Sequence, residues 1–290
     1  MLLKHALLPS WRPLAHQHLR TYSASAVYRR LKLAYDLHEP PKDAGPKNAP
    51  IVFIHGLFGS KKNNRSMTHL DIQDLRNHGD SPHDPRHDYT VLAEDVEGFI
   101  DEHKLENSTL IGHSMGAKTA MVVALRQRKP IANLISVDNA PIDAALKSDF
   151  AKYARGMRAI EDANVTKQSD ADAILQSYEP TLATRQFLLT NLICASDGTR
   201  KFRIPIKYIA NALDDMADFP FRDPDEVRFE KPTLFVRGTK SPYIADETLP
   251  IIGRFFPRFE LADVDSGHWV ISEKPAEFKR AVVEFLQDKQ

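Results

Sequence analysis

The stretch Thr109-Leu110-Ile111-Gly112-His113-Ser114-Met115-Gly116 restricts this chain more than any other. A short apolar run leads into Gly-x-Ser-x-Gly, and a helical pattern follows from Ala117 to Leu125. A serine between a strand and a helix sits on a sharp, strained turn with its hydroxyl pushed out of the sheet. Glycines at 112 and 116 suit that turn, because larger side chains would keep the strand and helix apart. The five-residue motif by itself can arise by chance in a surface loop; the flanking strand and helix make it informative. The implied fold class is α/β, a mostly parallel central sheet flanked by helices.

The remainder of the chain supplies matching parts. Ile51-Val52-Phe53-Ile54 reads as a strand buried on both faces. His55-Gly56-Leu57-Phe58-Gly59-Ser60 follows at its carboxyl end, the edge where open α/β sheets bind ligands. Upstream, Leu31, Leu33, Tyr35 and Leu37 alternate with Lys32, Ala34 and Asp36, as in a half-buried strand, and a turn-rich linker runs from Pro40-Pro41 to Pro50. Thr90 is placed to cap a helix running to about His103, with Leu92, Val96, Phe99 and Ile100 on one face. Leu134-Ile135-Ser136-Val137 and Leu234-Phe235-Val236 are further buried strands, and Arg258-Phe259-Glu260-Leu261 leads to the loop holding His268. The C-terminal helix begins near Pro275, with Phe278, Val282, Phe285 and Leu286 facing inward.

From about Pro141 to Glu230 the pattern is helix-like, without clear strands. Phe150, Tyr153, Ala154 and Met157 form one apolar face, Phe187, Leu188, Leu192 and Ile193 a second, and Ile206, Ile209, Ala210 and Leu213 a third. The chain thus divides into a core part over 25–140, an inserted helical cap over 141–230 and a second core part over 231–290. One stretch fits poorly. Parallel neighbours need a crossover of a dozen or more residues. Between Ser60 and Asp74 there is little room for both a helix and a strand, and His69-Leu70-Asp71-Ile72-Gln73 makes a poor central strand. Either one helix–strand unit is truncated there or the sequence has lost a segment.

Residues 1–24 carry Lys4, Arg12 and Arg20 with no Asp or Glu before Asp36, and Thr21 and Ser23 lie near their end. That composition reads as a mitochondrial presequence directing the chain to the matrix. Lys+Arg and Asp+Glu both total 39, so the formal net charge is zero and a nucleic-acid partner is not indicated. Cys194 is the one cysteine, which excludes an internal disulfide and a cysteine metal cluster. No apolar run is long enough to span a bilayer as a helix. Nothing in the pattern calls for a cofactor or a metal, and no protein partner is indicated.

A serine hydroxyl attacks poorly until a base removes its proton, and histidine is the usual base because it titrates near neutrality. A carboxylate then fixes the imidazole tautomer and stabilises the imidazolium. The chain order Ser, Asp or Glu, His makes Ser114 the nucleophile and His268 the base. Of the other histidines, His113 is expected to face away from the elbow and pack, His55 to shape its loop, and His78, His83 and His87 to lie in loops or at the surface. For the acid, the loop Gly238-Thr239-Lys240-Ser241-Pro242-Tyr243-Ile244 offers no carboxylate before Asp246. Asp138, at the end of the strand after the nucleophile helix, is the first choice and Asp246 the second. Asp263 and Asp265 are expected to shape the His268 loop. The backbone N–H groups of Leu57 and Met115 are the expected oxyanion donors.

His55-Gly56-Leu57-Phe58-Gly59-Ser60, Asp74-Leu75-Arg76-Asn77-His78-Gly79-Asp80-Ser81, Gly112-His113-Ser114-Met115-Gly116 and Val137-Asp138-Asn139-Ala140-Pro141 together resemble the α/β-hydrolase superfamily. Within it they resemble the mitochondrial abhydrolase-domain-containing protein 11 group and the yeast ethanol acetyltransferases. The likeness runs from about Leu31 to the C-terminus and departs at Ser66 to Gln73, where similar proteins carry a fuller helix and a better strand. The resemblance implies Ser114, Asp138 and His268 as a triad. It also implies activity on esters or thioesters, including acetyl transfer from acetyl-CoA to a short alcohol. A different class of reading, a catalytically impaired binding or stabilising protein of the mitochondrial matrix, rests on the shortened Ser60–Asp74 segment.

Overall fold

The computed structural model describes residues 30–36, 49–64, 71–143 and 149–288. The expected presequence, Leu37 and most of the linker after it lie outside the described residues. In chain order the first elements are β1 (Tyr35–Asp36), β2 (Ile51–Ile54), β3 (Asp71–Gln73), α1 (Tyr89–His103), β4 (Ser108–His113), α2 (Met115–Arg126) and β5 (Ile131–Val137). Next come α3 (Asp149–Asp162), α4 (Gln168–Gln176), α5 (Leu182–Leu189), the hairpin strands β6 (Leu192–Cys194) and β7 (Arg200–Phe202), α6 (Ile206–Asn211) and α7 (Leu213–Ala217). The chain then returns to the sheet with β8 (Thr233–Gly238), α8 (Leu249–Phe255), β9 (Phe259–Val264), α9 (Val270–Glu273) and α10 (Pro275–Gln287).

Seven strands form one sheet in the order β1-β3-β2-β4-β5-β8-β9. All neighbours pair in parallel except β1, which runs antiparallel to β3. This is the α/β-hydrolase fold the motif demanded. Side-chain alternation along the strands divides the interior in two. Val52, Ile54, Leu110, Leu134 and Phe235 belong to the larger cluster, with Leu92, Val96 and Phe99 of α1 and Met121 of α2. Phe53, Ile111, Ile135, Val137, Leu234 and Val236 belong to the other, with Val270, Phe278 and Phe285 from α9 and α10. Phe278 and Phe285 are buried and Val282 and Leu286 partly so, which is the inward face expected of the last helix.

Several local expectations need correction. Among the described residues of the first strand, Tyr35 and Asp36 pair, opposite Gln73 and Ile72, while Leu31 and Leu33 do not. Helix α1 is capped by Asp88 rather than Thr90; the Asp88 carboxylate accepts the Thr90 and Val91 N–H groups at 2.9 and 3.0 Å. The segment between β5 and β8 contains a two-stranded antiparallel hairpin, β6–β7, besides its helices. Leu192 and Ile193 therefore lie on a strand, not on the helix face of Phe187 and Leu188, because α5 has already ended at Leu189.

The doubtful stretch does hold a strand. β3 has three residues and pairs in parallel with β2, Ile72 opposite Phe53. The described residues between them include one 3₁₀ turn, Lys61–Asn64. Gln73, the last residue of β3, is fully buried, and its amide nitrogen and oxygen have no partner among the described residues.

Candidate active site

The Gly112–Gly116 turn follows from close packing. A Cβ on Gly112 would lie 2.2 Å from the Gly116 carbonyl oxygen, and one on Gly116 would lie 2.1 Å from that of Ile54. With both side chains absent, α2 starts directly against β2 and β4. Ser114 is thereby forced to φ 55° and ψ −117°, outside the regions that L-residues favour. Its N–H donates to Val137 O at 3.0 Å, and its carbonyl accepts from the Asn139 amide at 3.1 Å.

Parallel register sets the second group beside the first. His113 and Val137 are opposite one another at the ends of β4 and β5, so the residues that follow them, Ser114 and Asp138, emerge together. His268 comes from the loop after β9. Its Nε2 accepts from Ser114 Oγ at 2.9 Å, and its Nδ1–H donates to Asp138 Oδ2 at 2.6 Å. Asp138 is fully buried, while the His268 side chain keeps 14% of its surface open. Ser114, His268 and Asp138 thus form one continuous hydrogen-bonded line. Asp246, the second choice for the acid, is instead exposed and paired with Arg237 at 2.5 Å. Asp263 also pairs with Arg237, and Asp265 with Lys240, so both brace the β8–β9 end of the sheet.

The Asp138 carboxylate has two further donors that sequence reasoning missed. Gly238 N–H reaches Oδ1 at 3.1 Å, and the Ser241 hydroxyl reaches Oδ2 at 2.5 Å. Ser241 lies in the loop read as lacking a carboxylate; its hydroxyl was present in the sequence, but nothing in the spacing said where it pointed. Tyr243 from the same loop stacks on the His268 ring at 4.2 Å, and burial pushes its phenol up to about 12. It is a neutral wall for the imidazole.

His113 does not face away from the site. Its Nε2–H donates to the His268 carbonyl at 2.8 Å and its ring lies 5.1 Å from that of His268. Burial, followed by His268, lowers its pKa to about 4, so it remains a neutral donor anchoring the His268 loop. His78, His83 and His87 all lie in loops as expected; His83 is exposed, while His78 and His87 are buried. His55 does shape its loop, its Nδ1–H donating to Gly56 O at 2.8 Å.

Met115 directly follows the serine and Leu57 lies in the loop after β2; neither N–H has an acceptor among the described residues. Met115 owes this to its place at the first position of α2, where a helix leaves N–H groups unpaired. A cleft of about 140 Å³ opens at the loop after β2, lined by His55, Gly56, Gly59, Asn63, His113, Phe187, Trp269, Ile271 and Ser272. Its walls are largely aromatic and backbone. Among the described residues no three His, Cys, Asp or Glu side chains are grouped to hold a metal ion. The arrangement can deprotonate the Ser114 hydroxyl through His268.

Comparison with known proteins agrees with this geometry. The family model for the alpha/beta hydrolase fold matches residues 49–275. A probable alcohol acetyltransferase of Saccharomyces cerevisiae is 38% identical over 288 residues, covering 89% of this chain and 84% of its own. An sn-1-specific diacylglycerol lipase, ABHD11, of Xenopus laevis is 36% identical over 277 residues, covering 89% and 85%. Among solved structures, a marine microorganism esterase superposes with a TM-score of 0.77 at 29% identity, over 88% of this chain and 99% of that one. Matched over most of its length by the family model and by such relatives, the chain belongs to the alpha/beta hydrolases.

Proposed function

We propose that the protein is a serine-nucleophile acyl transferase in the broad sense, moving an acyl group from an ester or thioester to water or an alcohol. The observation that carries this is the unbroken line from Ser114 Oγ through His268 to the buried Asp138 carboxylate. In the first half-reaction Ser114 Oγ bonds to the carbonyl carbon as its proton passes to His268 Nε2. The carbonyl oxygen becomes an oxyanion held by the Leu57 and Met115 N–H groups. The tetrahedral species collapses, the bond to the alcohol or thiol breaks, and His268 returns the proton to that leaving group. Water or an alcohol then attacks the acyl-serine by the same route in reverse, freeing an acid or a new ester.

The names of the relatives frame the substrates: an alcohol acetyltransferase suggests acetyl-CoA with a short alcohol, and a diacylglycerol lipase suggests glycerides. Both begin with the same acyl-enzyme. Incubation with acetyl-CoA, with and without ethanol, separates hydrolysis from transfer by the ratio of acetate to ethyl acetate. The mechanism itself is tested with Ser114→Ala on a short-chain p-nitrophenyl ester. Turnover should fall by several orders of magnitude and labelling by a fluorophosphonate should vanish; unchanged turnover would refute it. That labelling also decides against the impaired-protein reading if Ser114 reacts. Residues 1–24 are assigned to mitochondrial matrix import, and a mature protein beginning at Met1 would count against this.

A further inference from the structure

Phe58 follows Leu57 in the loop after β2 with φ 61°, a left-handed conformation that bulky residues resist. Such a residue stays put only when its surroundings hold it. Here both of its backbone polar groups are held by buried side chains. The Phe58 N–H donates to His78 Nε2 at 3.1 Å, and the Phe58 carbonyl accepts from the Asn191 amide at 2.8 Å. His78 is itself fixed, because its Nδ1–H donates to Arg76 O at 2.9 Å and leaves the lone pair on Nε2.

His55 makes the reciprocal tie. Its Nδ1–H donates to Gly56 O at 2.8 Å, and its Nε2 accepts the Leu75 N–H. The two rings lie 5.1 Å apart, each pinning the other's loop. Burial lowers the pKa of both, more strongly for His78, which keeps them in the neutral form this exchange needs. Asn191 holds the Phe58 carbonyl. It lies between α5 and β6, its N–H bonded to Leu188 O and its carbonyl accepting the Arg203 N–H. The loop is therefore gripped by the sheet through two imidazoles and by the inserted helical segment through one amide.

We propose that His78 and Asn191 are positioning residues that aim the Leu57 N–H at the oxyanion, and that Asn191 couples the helical segment to that donor. The proposal rests on the Ser114 acyl-transfer reading; neither residue touches the reacting atoms. Removing the His78 acceptor strands a buried Phe58 N–H, and the loop must turn to pair it, carrying the Leu57 N–H away. A misaimed donor weakens binding of the tetrahedral species and leaves ground-state binding alone. Complete loss of one such donor lowers kcat about a hundred- to a thousandfold, so misaiming is expected to lower it about ten- to a hundredfold.

The test compares His78→Leu, His78→Gln and Asn191→Leu with the parent, with Ser114→Ala alongside. Gln carries an amide oxygen near the position of the lost Nε2 and can accept the Phe58 N–H. Steady-state kinetics on a short-chain p-nitrophenyl ester are read together with the affinity of a trifluoromethyl ketone, whose serine adduct needs the oxyanion donors. Both Leu variants should lose kcat in this range with KM within about twofold, and ketone affinity should fall in parallel. His78→Gln should recover most of both. Asn191→Leu leaves the imidazole ties intact and decides the matter should melting curves show His78→Leu unfolded. Unchanged kcat in folded Asn191→Leu, a loss confined to KM, or a Gln variant no better than Leu would overturn the proposal. Turnover surviving in Ser114→Ala would instead overturn the acyl-enzyme on which it rests.

Discussion

Asp138→Asn separates catalysis from stability at a single atom. The parent carboxylate accepts at Oδ1 from Gly238 N–H and at Oδ2 from Ser241 and His268. An asparagine must place its NH₂ on one side or the other. Toward Gly238, two donors would face each other in a buried site, a penalty of about 1–3 kcal/mol. Toward Ser241 and His268, the Gly238 bond survives and the Ser241 hydroxyl can rotate to accept, so this orientation wins. The NH₂ then faces His268 Nδ1, which must offer its lone pair and carry its proton on Nε2 instead. Nε2 then points a hydrogen at Ser114 Oγ and cannot take its proton. The same tautomeric error elsewhere lowers kcat about 10⁴-fold, a barrier increase of about 5 kcal/mol. Ester hydrolysis at neutral pH should show that loss, while the melting temperature moves by only a few degrees. A variant within about tenfold of the parent rate would mean that the carboxylate does not set the tautomer.

Ser241→Ala removes a donor from the buried Asp138 carboxylate. Stability should fall by about 1.5–3 kcal/mol; an unchanged melting temperature would contradict the assignment. Stability should also drop on acidification. His113 titrates in the folded state at about 4 and His87 at about 3, both chiefly through burial, against 6.5 when unfolded. Between these values the unfolded chain binds protons that the folded chain refuses, so stability is lost as pH falls from about 6.5 toward 4, by about 3 kcal/mol for His113 alone. A melting temperature flat across that range would refute this. Gln73→Leu should stabilise the fold by about 1–3 kcal/mol, since it removes a buried amide with no partner among the described residues; a lower melting temperature would show that the amide is satisfied.

The three groups of the candidate site were legible because parallel topology does the placing. Each follows a strand at the carboxyl edge of the sheet: Ser114 after β4, Asp138 after β5 and His268 in the loop after β9. Strands of this kind announce themselves as apolar runs, so the positions just beyond them can be ranked without coordinates. The parts that escaped notice lack any period. Asp74 to Pro82 reads as a polar loop, yet His78 is buried there, because its imidazole accepts the Phe58 N–H, which would otherwise be stranded. The β6–β7 hairpin has strands of three residues, too short for alternation to register. Asp88 and Thr90 are both able to cap, and only the backbone shows which one leaves the helix. His113 looked like packing since nothing in its neighbourhood in sequence foretells a partner 155 residues away.

What unites the rim is strain. Phe58, Ser114 and Asp138 stand just past the ends of β2, β4 and β5, and all three adopt positive φ, at 61°, 55° and 52°. For residues with side chains that conformation costs roughly 1–2 kcal/mol each. None of the three is left to relax. Ser114 is tied to Val137 and Asn139, Asp138 to Val236, Gly238 and Ser241, and Phe58 to His78 and Asn191. Each stands at the carboxyl edge of the sheet, and the positive φ turns the chain there out of the strand direction, which regular extended backbone could not do. Substitutions that cut these ties should therefore lower activity along with stability, because the strain they release also moves the strained residue out of place.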